Sequence, residues 1–191
     1  MTPTDDPRPL YADALTWVTG LVARTENLDR PTPCTEYDAR ALLGHILATV
    51  ERARVVGEDG DVFAQPVVLT GVPDDGWTDA LAAAIEKMQA VWADDTLLDR
   101  PSTVPWGKVP GRGALWGYLN EALVHGWDLA VATGQDAEAD PAVAEAALEA
   151  VQRFLPADMR GEEIPFDAVV EAAPDTGPTE RLANWSGHRR L

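Results

Sequence analysis

The sequence predicts an all-α fold: an antiparallel four-helix bundle with an extra C-terminal helix and a short arm. Apolar residues recur mainly at the helical spacing of 3.6. Start and stop signals fall at the ends of those periodic runs. No alternation of strand and helix patterns supports a parallel sheet.

In chain order, residues 9–25 put Leu10, Leu15, Val18, Leu21 and Val22 on one side of a first helix. The turn-rich NLDRPTPCTEY leads to Asp38, an N-cap for a second helix, ARALLGHILATVERARVVG, ending near Gly57. Residues 58–75 read as irregular, punctuated by Gly and Pro. WTDALAAAIEKMQAVWADD is the third helix, and PSTVPWGKVPGRG a loop. The fourth helix, ALWGYLNEALVHGWDLAVAT, stops at Gly134. Asp140 followed by Pro141 is a cap with proline at the first helical position, and it opens a fifth helix over residues 141–156. Beyond residue 160, FDAVVEA reads as a short extended piece and TERLANWSG as one or two helical turns. The organisation expected is one helical domain, 1–160, with an arm, 161–191, packed on it.

The chain has 191 residues, 46% of them hydrophobic, and a formal net charge of -17. That is enough chain to bury a core. Its negative surface repels nucleic acid and anionic membranes, so neither is an expected partner. No apolar run approaches the roughly 18 residues of a membrane span. MTPTDDPRPL lacks a basic region followed by an apolar one, so a cytoplasmic location is expected. A single cysteine, Cys34, excludes an internal disulfide framework.

The fourth helix carries the chemistry. Glu121 and His125 stand at i and i+4, so their side chains share a face and can converge on one ion about 2 Å from each. Asp128, nearly a turn on, is placed to accept a histidine N–H. On the second helix, His45 lies among Leu42, Leu43, Ile46 and Leu47 and borders the interior. Metal sites in bundles are built from side chains on facing helices in this way. The same residues also fit a hydrogen-bonded core histidine and an ordinary i,i+4 pair. Spacing alone leaves both readings open.

Other residues carry weaker signals. Cys34 reads as a small apolar filler, with a Cys–His nucleophilic pair as the rival. GKVPGRG lacks the arrangement of a phosphate loop; Lys108 and Arg112 within it are candidates for binding an anionic cofactor or substrate. His188, near the end of the chain, reads as solvated. Trp116 and Trp127 read as core or pocket wall.

TPCTEYDARALLGHILATVERA and EALVHGWDLAVATG resemble, respectively, the helix entry and the Glu-x-x-x-His-Gly-Trp-Asp-Leu-Ala segment of the DinB-like family related to the N-terminal domain of mycothiol-dependent maleylpyruvate isomerase. VPWGKVPG and ERLANWSGHR resemble a short, single-domain, metal-binding subgroup of it. The resemblance departs at Tyr37, where the family carries Trp, and in the short arm that stands where the isomerase has a second domain. It implies a divalent metal, zinc first, held by His45, Glu121 and His125. It also implies a mycothiol-type thiol held as thiolate at an open position. Glu121 and Asp128 are then the catalytic carboxylates, Asp128 orienting a ligand. The function expected is a thiol-dependent S-transferase or isomerase acting on a small electrophilic molecule, as a monomer or homodimer. A metal-dependent hydrolase and a non-catalytic metal-binding bundle are the alternatives.

Overall fold

The computed structural model describes residues 6–158, 160 and 167–191. Along the chain run α1 (Arg8–Val22), α2 (Ala39–Gly57), α3 (Trp77–Trp92), the strands β1 (Pro101–Val104) and β2 (Gly107–Pro110), α4 (Gly111–Thr133), α5 (Pro141–Phe154) and α6 (Pro178–Trp185). The fold is mainly α, as expected from the periodicity.

The capping chemistry sits where the sequence puts it. The Asp38 carboxylate accepts the Ala41 N–H at 2.8 Å and opens α2. Asp140 accepts from Ala142 and Val143 and opens α5 on its proline. Gly134, at φ 70°, ends α4 in the left-handed region. The arginine Arg100 donates to the carbonyls of Val56 and Gly57, satisfying acceptors that the end of α2 leaves open.

α4 organises the rest. It is apolar nearly all round, and such a helix is stable only when covered on every side. α1, α2, α5 and α6 all pack against it. α2 also packs on α3, and α3 on α1. The buried faces form one continuous core, in which the Trp92 indole N–H bonds the Ala53 carbonyl at 2.9 Å and ties α3 to α2.

One expectation needs correction. Residues 101–113 do not form a plain loop: β1 and β2 pair antiparallel, Pro101 opposite Pro110 and Val104 opposite Gly107, and α4 begins at Gly111. Ser102 and Val104 point inward and Pro101 and Thr103 outward, a period of two too short to stand out between prolines. The described part of FDAVVEA, residues 167–172, is neither helix nor strand, Phe166 lying outside the described residues, and its Val170 N–H bonds the Asn184 carbonyl. The expected domain boundary also falls beside residues 161–166, outside those described. No helix among the described residues is long and apolar enough to cross a membrane.

Candidate metal centre

Side chains from the middles of α2 and α4 meet at one point. Glu121 Oε2 stands 3.4 Å from His45 Nε2 and 3.4 Å from His125 Nε2. The two imidazoles lie edge to face, centroids 4.7 Å apart. Both histidines are buried, and Glu121 is partly so.

Each ring is anchored by its other nitrogen. His45 Nδ1 lies 2.9 Å from the Val67 carbonyl oxygen, which only accepts, so the partner assigns the proton to Nδ1. His125 Nδ1 lies 3.0 Å from Asp128 Oδ2, with the same consequence. In neutral rings both Nε2 lone pairs then face the Glu121 carboxylate. Three lone pairs converging in a buried place require a cation or protons between them.

Protons can meet that need. Burial opposes the charge on His125, but hydrogen bonds to Asp128 and Glu121 outweigh it and push its pKa up to about 10. Burial would raise Glu121, but hydrogen bonds from His125 and His45 hold it well below the usual carboxylate range. A metal ion also fits the donor set. Two bonds of about 2.0–2.1 Å at a tetrahedral angle place their donor atoms roughly 3.3–3.4 Å apart. The observed 3.4 Å matches that edge. It is longer than a charge-assisted hydrogen bond of about 2.7–2.9 Å.

The local sequence makes this arrangement possible. Gly44 precedes His45, and a Cβ there would stand 2.3 Å from the Leu69 carbonyl oxygen. Only glycine lets the 65–70 loop lie this close to α2, with Val67 in reach of His45 and Leu69 N–H bonding the Gly44 carbonyl.

Aromatic side chains wall the centre. The Tyr37 ring lies 5.1 Å from the His45 ring. Tyr118, almost one turn ahead of Glu121, meets Trp106 edge-on at 5.2 Å. Trp106 sits at the turn between β1 and β2, so the hairpin carries an exposed indole against α4. Arg52 stands two turns after His45 on the same face of α2. It donates to the Gln65 carbonyl, while its buried Nε finds no partner among the described residues. Its charge reaches Tyr37 and Tyr118, opposing the burial that raises both hydroxyl pKa values.

His188 overturns its expected solvation. Its Nδ1 lies 2.9 Å from Asp128 Oδ1, and its ring is 5.6 Å from that of His125. Asp128 is fully buried and accepts from two histidines, one on each oxygen. Burial would raise its pKa; the bonds from His125 and His188 instead lower it. Cys34 also lies near, its sulfur within 4.8 Å of His125 and Asp128 donor atoms. Burial pushes its thiol up to about 12, so it stays protonated at neutral pH.

His45, Glu121, His125 and Asp128 are thus brought together. Lys108 lies exposed in β2. Arg112, in the first turn of α4, is paired with Asp99 and precedes Glu121 by about 13 Å along the helix. Sequence reasoning missed the parts of His188 and Arg52. Gly187, which closes the WSG turn, marks a change of chain direction, but no local pattern names the partner of His188. Arg52 is legible only as a residue seven after His45, the spacing of one helix face.

Residues 11–130 match the family model of the mycothiol maleylpyruvate isomerase N-terminal domain. The chain belongs to this family. The matched segment contains His45, Glu121, His125 and Asp128 and ends before His188. Two relatives, uncharacterized proteins of Mycobacterium tuberculosis strains CDC 1551 / Oshkosh and H37Rv, are each 29% identical over 164 residues. The alignments cover 86% of this chain and 86% of each relative. No solved structure matches the chain.

Proposed function

We propose that the chain binds one divalent cation, zinc first, through His45, Glu121 and His125, and works as a thiol-dependent S-transferase or isomerase on a small electrophilic molecule. The observation that carries this is the convergence of one carboxylate oxygen and two imidazole nitrogens at 3.4 Å, each ring fixed by its other nitrogen. Membership of a mycothiol-related family supports the choice of thiol.

When bound, the ion supplies Lewis acidity that brings a thiol, ordinarily of pKa about 8.5, into its thiolate form at neutral pH. The residues do the rest. His45 and His125 present Nε2 lone pairs, and Glu121 offsets part of the cationic charge. Asp128 holds the His125 ring and its tautomer and is a positioning residue rather than a ligand. Tyr37, Tyr118 and Trp106 exclude water from one side. Arg52 offers an anionic substrate group a cation beside those walls. Arg112, about 13 Å before Glu121 along α4, and Lys108, exposed in β2, are assigned to an elongated cofactor, as a mycothiol-type thiol would be.

The finer architecture belongs to the same reading. Contacts of α1 with α4, α4 with α2, α2 with α3 and α3 with α1 support a closed four-helix bundle. His45 facing Glu121 and His125, with the later Arg52 reaching the earlier Tyr118, supports opposite directions for α2 and α4. The reading carries a small-molecule substrate, no nucleic-acid or membrane partner, a cytoplasmic location and a monomer or homodimer.

The test uses cobalt as a spectroscopic substitute for zinc. Adding a small thiol to the cobalt-loaded protein is expected to produce a sulfur-to-cobalt charge-transfer band, absent from His125→Ala. A spectrum unchanged by thiol, with turnover of activated esters, would favour the second reading: hydrolysis at the same centre. That reading is supported by a donor set of three, which leaves a position for water.

A further inference from the structure

The strongest relationship outside the three candidate ligands joins α4 to the carboxy-terminal arm. α6 ends at Trp185, and Gly187 follows at φ 97°. The His188 N–H returns to the Ala183 carbonyl and the Gly187 N–H to Asn184, closing the end of α6. A Cβ at Gly187 would stand 2.7 Å from Asp167 Cβ, in a conformation that other residues rarely adopt. The turn therefore directs the chain back toward α4, and His188 follows it. The Asn184 side-chain amide donates to the His188 carbonyl at 3.0 Å. Arg190 continues the contact, its guanidinium 5.7 Å from the Trp127 ring and paired with Glu180.

At the end of this path the His188 ring donates Nδ1–H to Asp128 Oδ1. The other oxygen of Asp128 accepts from His125. A buried carboxylate with both oxygens engaged is fixed in its rotamer, and the ring bonded to it is fixed with it. If Oδ1 loses its donor, a buried charge is left short of a partner and is free to reorient.

We propose that His188 is a positioning residue of the candidate metal centre: acting through Asp128, it sets the orientation of His125, so that docking of the arm and metal affinity are coupled. The inference rests on the reading of His45, Glu121 and His125 as ligands. It goes beyond that reading because His188 lies outside the family segment. The direction of the effect follows from geometry. His125 contributes one donor nitrogen, and its Nε2 points at the ion only while Nδ1 holds Asp128. Thermodynamic coupling is reciprocal, so an ion held by His125 favours the docked arm to the same degree.

The test compares wild type, His188→Ala and His188→Asn on the full chain. Asparagine keeps an N–H donor near the position of Nδ1, and alanine does not. Zinc affinity is measured by competition with a chromophoric chelator. His188→Ala is expected to bind zinc about 10–100-fold more weakly than wild type, the usual scale for losing a partner behind a ligand. His188→Asn is expected to recover most of that loss. A second readout needs no metal: the Nδ1-bound proton of His125, followed by ¹⁵N-edited NMR, is expected to exchange slowly in wild type and His188→Asn and to be lost in His188→Ala. Equal zinc affinity in wild type and the alanine variant would overturn the proposal. So would equal losses in both variants matched by equal losses of thermal stability, which would make His188 a structural plug. If wild type takes up no zinc, the ligand reading fails, and the His125 proton still decides whether His188 positions that ring.

Discussion

Asp128 and His188 stand 60 residues apart in the chain and 2.9 Å apart in space. With His125 on its second oxygen at 3.0 Å, the Asp128 carboxylate joins the middle of α4 to the chain terminus. Asp128→Ala removes the acceptor from the buried His125 imidazole and the partly buried His188 imidazole at once. Breaking a buried charge pair costs about 3–5 kcal/mol, and a loss on that scale is expected in urea unfolding of the metal-free protein. A loss below about 0.5 kcal/mol, within the range of ordinary surface substitutions, would mean that these bonds do not form in solution.

Glu121→Gln keeps the size of the side chain and removes its charge. As a direct ligand, Glu121 is expected to matter more than the partners behind ligands, whose loss costs about 10–100-fold in metal affinity. Zinc binding weaker by more than about 100-fold is therefore expected, with an unchanged helical circular dichroism spectrum. Undiminished affinity would remove Glu121 from the donor set.

The pH dependence of the metal-free protein has a defined sign. His125 titrates at about 10 in the folded chain against an ordinary 6.5. Its contribution to stability is complete below 6.5 and is lost as pH rises through about 10. Glu121 is lowered from 4.5, so its contribution is present above 4.5 and lost as pH falls below it. The urea midpoint is thus expected to decline steadily between about pH 6.5 and 10. Zinc displaces the proton on His125 Nε2, so the stabilisation it adds should grow over the same interval. A metal-free midpoint that rises there would contradict the proton placement.

Gly44→Ala inserts a methyl group 2.3 Å from the Leu69 carbonyl oxygen and 2.8 Å from Val68 Cγ1. Overpacking of this kind costs about 1–3 kcal/mol. The displaced loop carries the Val67 carbonyl that holds His45, so zinc affinity is expected to fall together with the melting temperature. A variant that melts early but binds zinc normally would show that His45 does not depend on Val67.

What the sequence makes legible follows the range of the interactions. Asp38, Asp140 with Pro141, and Gly134 act within one turn of themselves, and the helices begin and end there as read. Glu121 and His125 share a face by spacing alone. Their approach to His45 depends on α2 packing on α4, which amphipathic pattern suggests and does not fix. The β1–β2 hairpin escapes because two four-residue strands bounded by prolines present no period long enough to read. His188 escapes for a different reason: its partner is a buried carboxylate far back in the chain, reached through a left-handed turn at Gly187. The basic residues in and just after the hairpin show the converse. Lys108 and Arg112 look like an anion site locally, while Asp99, a neighbour on the other side of the hairpin, pairs with Arg112.

Whether His45, Glu121 and His125 hold an ion is decided by the metal content of the full chain purified without a histidine tag, measured by elemental analysis before and after incubation with zinc and dialysis. One zinc ion per chain is expected after incubation, and its loss in His45→Ala and His125→Ala. A chain that retains far less than one equivalent, with no difference between wild type and those variants, would contradict this assignment.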